Sequence, residues 1–274
     1  MCMTTIRDID KKCAVCTKTS PQSVITSTNT WGYPDLDLRP SEMQRSTMFA
    51  WLDECPHCGY VSVDIENELE ASSDLLKSDE YLTCGRNEFK SELSKRFYRH
   101  YLISKAENDY DSEFSSILHC AWACDDKYDD LAVEMRKLAL KSMEKIDYEN
   151  DDLKLIRADL LRRSFQFDEL IREFNDVTFE DNLKNEIIDF QLELAEKKDT
   201  ACYAIDDITK KVTVSLNGEL HKKLKFIAEI KNVSLVEVIE TMIKEKADET
   251  DPDELLEQEY EKAMKYYKEQ GGCK

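Results

Sequence analysis

Two cysteine pairs, Cys13-Ala-Val-Cys16 and Cys55-Pro-His-Cys58, carry the clearest chemical signal in the chain. Two thiolates separated by two residues can grip one tetrahedral metal ion from a tight turn, and a second pair completes the shell. Gly59 follows the second pair and relieves a crowded backbone where amides turn toward the sulfurs. Pro56 fixes that turn, whereas Thr17 follows the first pair and makes its knuckle less regular. The flanking segments TMFAWLDE and YVSVDI are predicted to be two strands of a hairpin with the metal at its tip, a zinc-ribbon arrangement. The 38 residues between the pairs, 17–54, require an inserted loop. Four sulfurs leave no position for water, so the expected cofactor is a structural Zn2+ held by Cys13, Cys16, Cys55 and Cys58. A redox dithiol needs one such pair at a helix start, not two. His57 is expected to face solvent.

Other residues offer weaker chemistry. The insert WGYPDLDLRPSEMQRSTM places Asp35, Asp37, Arg39 and Arg45 among prolines and aromatics. In an extended segment Asp35 and Asp37 project the same way. They can form a paired-carboxylate site with Arg39 as a clamp, but no histidine or nucleophile joins them. The competing expectation is a loop pinned to the helices by Asp–Arg pairs. Cys120 and Cys124, four apart on a predicted helix beside His119, are half a metal site or buried packing; burial is the commoner fate of cysteine. No phosphate loop, open metal site or nucleophile pattern is present, so the chain is not expected to be an enzyme.

These residues need elements to hold them. At 274 residues the chain can bury a sizeable core, and its scarcity of Gly (6) and Pro (5) fits a mainly α protein. Residues 1–66 hold both cysteine pairs and form a small β head. Residues 67–200 read as amphipathic helices, with Leu131, Met135, Leu138 and Leu140 in helical period. Residues 201–209 read as a linker, 210–247 as a third unit and 248–274 as an acidic tail. The N-terminus lacks an apolar core and a cleavage pattern, and no apolar run approaches the roughly 18 residues that span a bilayer. A soluble, cytoplasmic protein with reduced cysteines is expected.

Two resemblances follow. AWACDDKYDDLAVEMRKLAL and ADLLRRSFQFDELIREFND share a small residue, a short turn, an aromatic and a second helix, which resembles tetratricopeptide-type helical hairpins. The first CxxC, then GYPDLDLRPSEMQRSTMFAWLDECPHCGY, then helices ending in FQLELAEKKDTACY, resemble a bacterial family over about residues 10–207. In that family a zinc-ribbon-like head precedes tetratricopeptide-like helices; the resemblance implies a fold and a metal, and no reaction.

Residues 210–247 pose a separate question. Val212, Val214 and Leu216 alternate with Lys211, Thr213 and Ser215, the pattern of a half-buried strand. Asn217 can cap a helix bearing Leu220, Leu224, Ile227 and Ala228, and Ser234 with Glu237 forms a capping box for a second. So small a unit needs a partner. It resembles a ribbon-helix-helix domain of the MetJ/Arc/CopG type, which implies a homodimer whose strands pair and enter the DNA major groove. By position Lys211, Thr213 and Ser215 would face bases, and the helix start at Asn232 to Ser234 would meet a phosphate. Residues 210–246 carry eight lysines and five glutamates, a net +3 that leaves -23 on the rest of a -20 chain. That balance excludes wrapping nucleic acid over the whole surface but allows one restricted contact. Against DNA stand the missing arginine, Glu237 near the phosphate position and the acidic body. The expectation is a zinc-binding, dimeric DNA-binding regulator; the alternative is a protein-interaction adaptor whose 210–247 unit only dimerises.

Overall fold

The computed structural model describes residues 4–146, 150–209, 218–231, 235, 238–239 and 241–242. Contacts divide the chain into two units, Met1–Lys210 and Lys211–Lys274. The first is mainly α with a small β head. Strands β1 (Thr5–Lys12) and β2 (Thr19–Ser27) pair antiparallel, with Lys12 opposite Thr19 at the closed end. β3 (Asp53–Glu54) and β4 (Val61–Ser62) form a second, much shorter hairpin. The segment expected as the first strand of that hairpin is instead a 3-10 turn over Arg45–Ala50, and only Asp53 and Glu54 reach the ladder. Thr47 and Met48 are buried on that turn, where Thr47 Oγ1 donates to Gln44 O and accepts from Trp51 Nε1. Those side-chain bonds favour a coil over an extended chain. Gln22 joins the hairpins by exchanging both amide hydrogen bonds with the backbone of Glu54, at 3.1 and 3.2 Å.

The helices follow in order: α1 (Asp79–Leu82), α2 (Glu92–Glu107), α3 (Tyr110–Asp125), α4 (Leu131–Met143), α5 (Asp151–Arg163), α6 (Phe167–Phe174), α7 (Asn182–Glu196) and α8 (Ile205–Thr209). Their starts are conventional. Ser91, Asp109, Asn150 and Asp181 each accept a hydrogen bond from an amide in the first turn. Their ends are not. Asn108, Tyr128, Phe165 and Lys198 take left-handed backbone angles where glycine is usual. In each case the next amide reaches back to the carbonyl five residues earlier, as in Asp129 N to Cys124 O and Gln166 N to Leu161 O. α3 packs between α2 and α4, and α5 packs on α4, α6 and α7. Ala121 and Ala158, the small residues of the two similar segments, are both fully buried. One hydrophobic core runs from the head (Met48, Ile65) through Phe97, Ile117 and Leu160 to Ile188.

The second unit contains α9 (Gly218–Lys231), and positions 235, 238, 239, 241 and 242 are also helical. Among the described residues of this unit, Leu224, Ala228 and Val238 form a buried cluster flanked by Ile227, Leu235 and Ile239. Among the described residues no helix is long and apolar enough to cross a membrane.

Tyr128 is 91% exposed, so its ring gains nothing from burial while its backbone sits at φ 48°. Tyr128→Gly is expected to stabilise the Met1–Lys210 unit by about 1 kcal/mol, read as a higher urea midpoint at unchanged m-value.

Candidate metal centre and the buried charge cluster

The two cysteine pairs sit at the tips of the two hairpins, and their backbones repeat one another. Cys13 N donates to Lys18 O at 2.9 Å, and Cys55 N to Tyr60 O at 2.8 Å. Thr17 N returns to Cys13 O, and Gly59 N to Cys55 O, both at 2.9 Å. Thr17 therefore occupies the place of Gly59 and adopts the same left-handed turn, φ 61° against 74°. The expected irregularity of the first knuckle lies in residue type, not in geometry. Cys13 and Cys55 are fully buried, while Cys16 and Cys58 are half-buried.

All four sulfurs lie within 4.8 Å of one another. The closest approaches cross between the knuckles: Cys13 to Cys58 and Cys16 to Cys55, each 3.6 Å. This set can hold a metal ion. Burial pushes the Cys13 and Cys58 thiols up, whereas the Lys18 amide draws Cys16 down. Four thiolates in a partly desolvated pocket are costly unless a cation neutralises them, and a bound metal deprotonates such thiols outright. His57 is exposed between the two ligands of its knuckle.

The head is fixed to its surroundings by charged side chains. Lys11 Nζ on β1 reaches Asp53 Oδ2 on β3 at 2.7 Å. Arg96 and Arg99 of α2 hold the two oxygens of Glu54 at 3.1 and 2.9 Å. Tyr81 Oη donates to Gly59 O at 2.6 Å, from α1 onto the second knuckle.

Asp35, Asp37 and Arg39 do not line an open site. The backbone turns at 35–38, with Leu38 N bonded to Asp35 O, so the segment is not extended and the two aspartates take different hydrogen-bond partners. Asp35 accepts from Arg45 Nη2 at 2.6 Å and from the Cys202 thiol at 3.3 Å. Arg39 Nη2 holds both oxygens of Asp126, at 2.7 and 2.8 Å. Asp37, 1% exposed, accepts Trp122 Nε1 at 2.7 Å and the Arg39 amide at 3.2 Å. Beneath them, Arg163 and Arg136 both donate to Asp125. Fully buried Arg162 binds Asp159 and Gln191, and also the carbonyls of Asp199 and Ala201. Burial alone would raise Asp125, but Arg136 and Arg163 hold it below the usual carboxylate range. Asp125, Asp159, Arg136 and Arg163 gave no signal in the sequence, where they read as the polar side of amphipathic helices.

Cys120 and Cys124 are buried packing residues of α3; Cys120 donates to Ser94 O at 3.3 Å. His119 lies among Trp51, Phe97 and Trp122, and burial pushes it down to about 3. Lys211, Thr213, Ser215 and Ser234, with Asn232 and Glu237, lie outside the described residues.

No protein-family model, curated protein or solved structure matches this chain. The tetratricopeptide-type, bacterial-family and ribbon-helix-helix resemblances therefore rest on the residues quoted for them.

Arg163→Met keeps volume but removes the cation between Asp37, Asp125 and Asp159. It is expected to cost about 3–5 kcal/mol in urea unfolding, because buried carboxylates lose their partner. A loss below 1 kcal/mol would mean that solvent reaches the cluster.

Proposed function

We propose that this chain is a zinc-stabilised, dimeric DNA-binding protein of the regulator type, not an enzyme. The four-sulfur centre supports the zinc. A tetrahedron of sulfurs about 2.3 Å from zinc has edges of about 3.8 Å, close to the 3.6 Å cross-knuckle approaches. Four protein ligands close the site, so the metal's role here is to hold the hairpin tips together.

The DNA-binding reading rests on the sequence of residues 210–247, and one observation supports the dimer that it needs. The second unit buries Leu224, Ala228 and Val238, yet leaves Phe226, Ile230 and Met242 exposed at 63, 68 and 49%. Exposed apolar side chains on a helix beside that cluster are the kind of surface a second copy would cover. Pairing two copies is what a β-ribbon needs in order to form. Lys211, Thr213 and Ser215 would then face the bases, with Ser234 at a helix start near a phosphate. The acidic body restricts contact to this module.

The adaptor reading keeps the dimer and drops the DNA. It is favoured by the absence of arginine from 210–247, since arginine makes the commonest specific contact to guanine. The helical unit would then bind a protein partner.

The test is selection of genomic DNA fragments by the zinc-loaded full chain across a salt series, beside a Lys211→Ala/Thr213→Ala/Ser215→Ala variant. Wild type is expected to enrich particular fragments, and the variant to bind them at least tenfold more weakly. Absence of enrichment by a dimeric wild type would overturn DNA binding and leave the adaptor. A monomeric wild type would overturn both.

A further inference from the structure

Asp37 is the most buried charge of the insert, and the pairing around it is uneven. Asp35 has Arg45, Asp126 has Arg39, and Asp159 has Arg162, each within 2.7 Å. Arg163 is the cation nearest Asp37, but its hydrogen bond goes to Asp125, which already holds Arg136. From Arg163 Nη1 to Asp37 Oδ2 is 3.7 Å, and to Asp159 Oδ2 is 3.9 Å. Both distances exceed a hydrogen bond. Asp159 Oδ2 is buried and accepts no hydrogen bond among the described residues. Two carboxyl oxygens thus face one guanidinium nitrogen, one of them has no hydrogen-bond donor, and neither accepts a hydrogen bond from that nitrogen. A proton on Asp37 would relieve the like-charge repulsion between Asp37 and Asp159.

We propose that Asp37 takes up a proton in the folded protein, and that this proton tightens the seam between the 31–48 insert, the helices and residues 199–205. The seam is built on the turn that carries Asp37. Leu36 N donates to Tyr203 O, and Ile205 N to Pro34 O, both at 2.9 Å. The groups facing Asp37 come from every side: Trp122 on α3, Arg136 on α4, Asp159 and Arg163 on α5, Asp35 and the Arg39 amide in its own loop, and Cys202 beyond α7. Burial, followed by the Asp159 charge, raises Asp37 from 3.8 to about 6, against the opposing pull of Arg163 and Arg136. The folded state then binds the proton more tightly than the opened one. The seam is weakest above pH 6, tightens as pH falls, and gains nothing further below about 4.

Amide hydrogen exchange at Leu36 and Ile205 tests this in the full chain. After correction for intrinsic rates, protection is expected to be about fourfold higher at pH 5.5 than at pH 8. In Asp37→Asn, which mimics the protonated carboxyl, that pH dependence should vanish. A carboxyl-carbon NMR titration of the wild type gives an answer independent of the variant's folding, with the Asp37 signal titrating above pH 5. Unchanged protection in wild type, the same pH dependence in Asp37→Asn, or an Asp37 carboxyl titrating below pH 4.5 would overturn the proposal.

Discussion

The arrangement of the head depends on four sulfurs meeting at one point. β1 is exposed along nearly its whole length, and β3 and β4 contribute two residues each. Such short, open hairpins are not stable alone. The convergence of Cys13, Cys16, Cys55 and Cys58 ties their tips together. That tie also fixes where the intervening 31–48 insert leaves and returns. The insert is then free to reach across α3 and α5 and hold residues 199–205 by backbone pairing. Arg96 and Arg99 complete the attachment from α2.

The insert is held by charge where a hydrophobic plug would serve stability as well. Buried ion pairs seldom stabilise more than apolar residues of the same volume. What they supply here is register: Arg39 on Asp126, Arg45 on Asp35 and Trp122 on Asp37 are each satisfied in one arrangement. The cluster also explains why an acidic protein keeps arginines inside. Arg136 and Arg162 are among the largest fully buried side chains, and both serve aspartates.

The four-cysteine cluster was legible because thiol chemistry demands a fixed spacing, and the mainly α class was legible from the periodicity of α2 to α7. Other features were hidden for identifiable reasons. β1 is exposed on both faces, so TIRDIDKK carries no alternation to read. TMFAWLDE looks extended by composition, yet Thr47 binds its own turn and coils the segment. Helix ends lacked their usual mark because Asn108, Tyr128, Phe165 and Lys198 stand where glycine would. The Asp35–Asp37–Arg39 run was visible as charge, but Asp126, which pairs with Arg39, and Trp122, which donates to Asp37, lie more than 80 residues away and come together with it only in the folded chain.

The account turns on a single metal ion bound by all four thiolates. X-ray absorption at the zinc edge of protein purified without added metal tests this most directly. The account predicts one zinc per chain in a shell of four sulfurs at about 2.3 Å. A shell with nitrogen or oxygen in place of any sulfur, or protein that folds fully with no metal bound, would contradict it.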